Sequence, residues 1–193
     1  MYFNFESRNM LSNLDHCMKS WPRPLPIKRL SIRTKSQEEV MSFLPNVTVE
    51  SLEMFSSNSM AMDIHGIVRT KQWSNLKSLD MTKLATSEAF SCFSHLQRVM
   101  IDREYMMGQD IADLKEIFLN SPTMKSFLIT TKYVNKPQYD AVLGPSVRET
   151  DRLGRTKSKW VCKVPDSEQL IHFALYGGYQ EWIVEVNRIV DEF

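Results

Sequence analysis

The residues with most capacity for chemistry in this chain are four histidines, His16, His65, His95 and His172, and three cysteines, Cys17, Cys92 and Cys162. A nucleophilic site needs a thiol or hydroxyl, a base within hydrogen-bond reach, and a third group that orients the base. Cys92 and His95 come nearest to that arrangement, yet nothing around them marks either as activated. The histidines stand apart, with neither His-x-x-x-His nor His-x-Glu spacing, so a zinc site lacks its ligand pattern. A Gly-x-Ser-x-Gly elbow, a phosphate-cradling glycine loop and a dinucleotide fingerprint are all missing from the sequence. His95 lies in a turn before a predicted strand, where capping or exposure is the ordinary role. His172 sits in an apolar run and reads as a packed, hydrogen-bonded residue. The expectation is a protein with no catalytic residue, no metal ligand and no cofactor.

Charge and composition narrow the classes further. The 193 residues are 42% hydrophobic and 24% charged, enough for one domain with a core and a small appendage. With 24 basic and 23 acidic residues, the formal charge is +1. That balance calls for neither nucleic acid nor an anionic membrane as partner. The densest basic run, Arg152 to Lys163 ("RLGRTKSKWVCK"), reads as a solvated loop leading into a strand. An odd number of cysteines without Cys-x-x-Cys spacing argues against a disulfide framework. The first residues, "MYFNFESRNMLSNLDHC", do not resemble a secretory signal, and no stretch reaches the roughly 18 apolar residues of a membrane span. The expected location is the cytoplasm, with the nucleus left open.

A repeated pattern supplies the elements. The hexad "LKSLDM" places apolar residues at Leu76, Leu79 and Met81. The same h-x-x-h-x-h spacing occurs in "IKRLSI" (Ile27, Leu30, Ile32), "VESLEM" (Val49, Leu52, Met54), "LQRVMI" (Leu96, Val99, Ile101) and "MKSFLI" (Met124, Phe127, Ile129). The central positions advance by 22, 27, 20 and 28 residues, within the range of leucine-rich-repeat-like units. In a strand the last two apolar residues of each hexad share a face. The segments between read as helices. "SQEEVMSFL" carries Val40, Phe43 and Leu44 at helical spacing, with Ser36 and Glu39 as a capping box. "DIADLKEIFL" carries Ile111, Leu114, Ile117 and Phe118, with Asp110 as cap. "MDIHGIVRTKQW", interrupted by Gly66, and "TSEAFSCF" are weaker helices. Met54 and Met81 fall at inward positions and Met100 outward, while Trp73 reads as a core plug.

The spacing therefore predicts an α/β fold: a leucine-rich-repeat-like array of short parallel strands and helices with a β-rich C-terminal cap. Residues 1–24 form an N-terminal segment, 25–135 the strand–helix repeat region, 136–158 a loop, and 159–193 the strand-rich cap. Within the cap, "KWVCKV" and "EWIVEVNRIV" alternate with a period of two, and "EQLIHFAL" suits either a strand or a helix.

Several segments, in order, carry a family resemblance: "PLPIKRLSI", "SFLPNVTVESLEM", "TKQWSNLKSLDM", "FSHLQRVMI", "DLKEIFLNSPTMKSFLI", "VLGP" and "KWVCKVPDSEQL". Together they resemble the FTH domain, the F-box-associated domain expanded in nematodes, over roughly residues 20 to 190. The resemblance implies a recognition module that selects a protein target for a cullin-RING ubiquitin ligase. In that family an F-box binds a Skp1-like adaptor. Here "FNFESRNMLSNLDHCMKS" does not match an F-box, so a Skp1-like adaptor is expected only where an F-box is supplied elsewhere. The other class carried by the sequence is a stand-alone scaffold or decoy that binds a protein target with no ligase link.

In an array of this kind one sheet face lies under the helices and the other is open. The outward positions include Arg33, Glu53, Phe55, Asp80, Thr82, Met100, Asp102, Leu128 and Thr130, the candidate partner-binding residues. Their mixture of charge with Phe55, Met100 and Leu128 suits a protein interface with a few apolar anchors.

Overall fold

The computed structural model describes residues 4–5, 23–150, 156–177 and 181–190; the N-terminal expectation, with His16 and Cys17, falls on residues outside these. The chain divides into two compact units, Met1–Glu88 and Ala89–Phe193.

In the first unit, strands β1 (Asn4–Phe5), β2 (Leu25–Arg33), β3 (Val47–Ala61) and β4 (Ser78–Ala85) lie side by side and parallel. The hexads stack without offset: Leu30 opposes Leu52 and Leu79, while Ile32 opposes Met54 and Met81. Across both units, all apolar hexad positions are buried, none above 3% exposed. Helix α1 (Gln37–Phe43) and the single turns α2 (His65–Val68) and α3 (Lys71–Ser74) bury Val40, Phe43, Ile67 and Trp73. Ser36 accepts from the Glu39 N–H as a cap should, at 3.4 Å. Glu39 returns the bond one residue early, to the Lys35 N–H at 2.9 Å. The Gln37 side-chain oxygen accepts from the backbone N–H groups of Gly66 and Ile67, capping α2. A Cβ on Gly66 would lie 2.8 Å from that oxygen, which accounts for the glycine inside a helical segment.

In the second unit, β5 (Arg98–Met106) and β6 (Ser126–Val134) are parallel and joined through helix α4 (Gly108–Asn120). Helix α5 (Lys136–Leu143) and strands β7 (Val147–Thr150), β8 (Thr156–Lys163), β9 (Gln169–Gly177) and β10 (Trp182–Val190) follow. The turn Phe90–Phe93 sets Phe90 and Phe93 edge-on against Phe127, with ring centres 5.5 and 6.0 Å apart. Asp110 sits in the first turn of α4, where its carboxylate accepts from the Met107 N–H at 2.7 Å.

The α/β class stands, but the leucine-rich-repeat-like array and its cap do not. The last strand returns beside β6, antiparallel, and the order continues β10, β9, β8, β7 with every neighbour antiparallel. The C-terminal strands therefore widen the sheet instead of closing the end of a stack, and the sheet is mixed and does not curl. The parallel strands are also long, nine, fifteen and eight residues in β2, β3 and β4. Strands of that length accumulate right-handed twist between neighbours, unlike the short strands of a solenoid. Residues 169–177 take the strand alternative.

The expected 136–158 loop is also corrected. Its first residues form α5, with Pro137 in the first turn, where its missing N–H costs nothing. Three groups hold it. Tyr139 is buried and its hydroxyl donates to the Met106 carbonyl at 3.4 Å. Lys136 pairs with Asp140 at 2.8 Å. The Trp160 indole N–H is shared by Asp140 and the Gly144 carbonyl, at 3.1 and 3.0 Å. The Lys136 ammonium, with Trp160, holds the Asp140 carboxyl below the usual carboxylate range. Gly144 ends the helix at φ +88°, ψ −175°, a region open only to glycine.

Arg188 of β10 closes the other end of the layer. Its guanidinium donates to the carbonyls of Phe118, Ser121 and Met124 and to the Gln169 side chain. Three carbonyls around the end of α4 thus accept from a residue more than sixty positions away, and the positive charge suits the negative end of the helix. Arg188→Met should cost about 2–3 kcal/mol in urea unfolding, because those carbonyls lose charge-assisted bonds in a half-buried setting. Gly144→Ala should cost about 1–3 kcal/mol from backbone strain alone, since nothing lies within 4 Å of the added Cβ. An unchanged midpoint for Gly144→Ala would refute the assigned backbone conformation.

Candidate functional site

Residues directly opposed on neighbouring strands share a sheet face, so the registers assemble the outward rows. In the first unit, Arg33, Phe55 and Thr82 form one row and Ser31, Glu53 and Asp80 the next. Two carboxylates thus stand opposite each other on an exposed face, an arrangement that costs stability unless neighbours offset it. Arg29 reaches Glu53 at 3.7 Å, and the Thr82 hydroxyl donates to Asp80 at 2.8 Å. Phe55 is half-buried between them and Arg33 is exposed. All five residues predicted in this unit lie on this face.

In the second unit, Met100 opposes Leu128 and Asp102 opposes Thr130, so the remaining four predicted residues also form two rows. The rows run on into strands that sequence reasoning had placed in a cap. Leu128 is followed by Glu185, Ala174 and Lys159, and Thr130 by Ile183, Tyr176 and Lys157. Four large apolar side chains remain exposed along this face: Met100 at 38%, Ile183 at 40%, Val161 at 51% and Val147 at 63%. The predicted residues divide five and four between the two units.

Polar residues along these rows are tied to one another. The Tyr176 hydroxyl donates to Glu185 at 2.9 Å, and the Asn187 amide donates to the other Glu185 oxygen at 2.8 Å. Lys157 lies 5.6 Å from the Tyr176 ring centre and 3.4 Å from Glu149, which also faces Lys159 at 3.7 Å. Burial, and then the hydrogen bond that the neutral phenol donates to the Glu185 carboxylate, push the Tyr176 phenol above its ordinary value. The signal for these missed residues was the period of two in β8 and β10; what it lacked was any mark of which strand they would join.

The chemistry-bearing residues stay dispersed. His65 is 3.3 Å from Glu88, His172 opposes Asn187 and Val161, and His95 stands exposed beside the Phe90–Phe93 turn. Burial raises the Cys162 thiol above its ordinary value. Among the described residues, no group of three or more His, Cys, Asp or Glu could hold a metal ion, and no helix is long and apolar enough to cross a membrane.

These features define an α/β protein whose parallel strands are backed by helices and whose other face is decorated with mixed polar and apolar rows. Residues 8–146 match the FTH domain, and the chain belongs to the FTH domain family. The match ends before β8, so "KWVCKVPDSEQL" lies beyond it. No curated protein and no solved structure matches the chain.

The Tyr176 hydrogen bond has a measurable consequence. Its neutral form is favoured in the folded state, so its contribution is complete below about pH 10, the ordinary phenol value. It is lost as pH rises through the higher folded-state value. Urea midpoints between pH 9 and 11.5 should fall more steeply for the native chain than for Tyr176→Phe. Parallel slopes would mean that the phenol is not held neutral.

Proposed function

We propose that this chain is a protein-interaction module that binds its target through the outward rows of its strands. The observation that carries the reading is the composition of those rows. In the first unit Arg33, Glu53 and Asp80 stand around Phe55, and in the second Asp102 stands beside Met100 and Leu128, each set on a face released from core packing. A patch of a few apolar anchors surrounded by charge is what a protein interface of moderate affinity presents. Family membership supports it, since the resemblance implies target selection within an F-box-type ubiquitin ligase. In that setting the adaptor contact belongs to an F-box supplied elsewhere, and the sheet face supplies the choice of target. A stand-alone scaffold or decoy would use the same face.

Target and ligase link are separately testable. Proximity labelling in the native cell should identify a target whose capture falls at least about tenfold with Asp80→Lys and Asp102→Lys combined, from reversed charge complementarity. The melting temperature should move by no more than about 2 °C, because neither side chain packs in the core. Equal capture by the double variant would place the interface elsewhere. Co-purification of a Skp1-like adaptor with the same target supports the ligase setting; capture of the target without the adaptor supports the scaffold.

A further inference from the structure

Away from the sheet face, the second unit carries a cleft of about 660 Å³ between the Phe90–Phe93 turn and helix α4. That is within the range of roughly 300–1,000 Å³ typical of sites that hold a ligand. Phe90 and Ile117 close its floor, and Ser94 and Asn120 offer hydrogen-bonding groups at its margin. Two carboxylates, Asp113 and Glu116, line it together with His95, and no lysine or arginine does. The two carboxylates are three residues apart on α4 and so lie on the same side of the helix.

The lysine carried by the same stretch of helix does not neutralise this pair. Lys115, between them in sequence, donates to the Val142 carbonyl at 3.2 Å. Asp113 accepts from the Gln109 amide through one oxygen, at 2.7 Å, which leaves its charge in place. The carbonyl end of α4 is already occupied by the Arg188 guanidinium, so the acidity of the cleft rests on Asp113 and Glu116.

We infer that this cleft binds a basic segment of a partner protein. A lysine or arginine of that segment pairs with Asp113 and Glu116, an adjacent apolar side chain rests over Phe90 and Ile117, and Ser94 and Asn120 meet its backbone. Charge complementarity selects this occupant: an acidic segment would face two like charges, and a neutral one would leave both carboxylates uncompensated. The site is distinct from the sheet face and does not rest on it.

The probe is an acetylated Gly-Leu-Arg-Leu-Gly amide, titrated into the isotopically labelled full chain and followed by NMR. Its control replaces arginine with citrulline, which keeps the shape and loses the charge. Amide shifts should concentrate at Ser94, Glu116 and Asn120. Affinity should fall at least about tenfold with citrulline or with Asp113→Asn and Glu116→Gln combined, and several-fold as salt rises from about 0.05 to 0.3 M. Equal affinity for the two peptides, shifts centred elsewhere, or no binding would each overturn the assignment. If the double variant does not fold, the citrulline comparison on the native chain decides. The Asp80→Lys, Asp102→Lys chain should titrate like the native one, so failure of the sheet-face reading leaves this result standing.

Discussion

Burial of alternate side chains is the constraint from which the arrangement of both units follows. Each hexad places apolar residues two apart, and only one register lets those of adjacent strands meet beneath the helices. Slipping a strand by one residue would turn Leu52 and Met54 outward and bring Glu53 into the core. At roughly 1.5–3 kcal/mol for each fully buried large apolar side chain, such a slip is prohibitive. The same alternation releases the intervening residues from packing. Charge and isolated apolar groups can therefore be varied on the open face without disturbing the layer behind it.

Short helices backing a sheet create a second requirement, that the polar groups at their ends be satisfied. Side chains remote in sequence do this. Gln37 serves the N–H groups of Gly66 and Ile67. Gln138 serves the Gly108 N–H at 2.8 Å, where a Cβ on Gly108 would lie only 2.8 Å from its own Cβ. Arg188 serves the carbonyls around the end of α4. These bonds explain why two glycines stand inside or at the start of helices, where propensity alone would disfavour them. Close approach of another chain segment outweighs the loss of local stability.

The parts that were legible in the sequence are those encoded locally. Hexad spacing gave strands β2 to β6, and the α1 and α4 patterns gave their helices, because each rests on contacts within a few residues. All nine residues expected outward take outward rows for the same reason. The position of β10 was not legible. Its alternation specifies a strand with one buried face, but any sheet edge satisfies that condition. The choice of β6 depends on pairings such as Val184 with Ile129 and on Arg188 reaching Phe118. Helix α5 was hidden for a related reason. Its segment is rich in Pro, Gly and charge, and its anchor, Trp160, lies twenty residues beyond Asp140.

Placing the C-terminal strands beside β6 changes what the open face of the second unit presents. Had they capped an array, the outward rows of the second unit would have ended at Leu128 and Thr130. Joined to β6, they extend those rows through Ile183 and Tyr176 to Lys157 and Lys159, whose ammonium groups face Glu149, so the apolar groups lie among charges of both signs. On the proposed reading, a partner that meets Met100 and Ile183 must also match the charges that flank them. This is a stronger filter than apolar contact alone, because a mismatched charge costs more than a missing methylene. The flank carrying the lysines lies beyond residues 8–146. If this face binds as proposed, its specificity can change through β8 to β10 while the hexad-built layer of the matched region keeps its register.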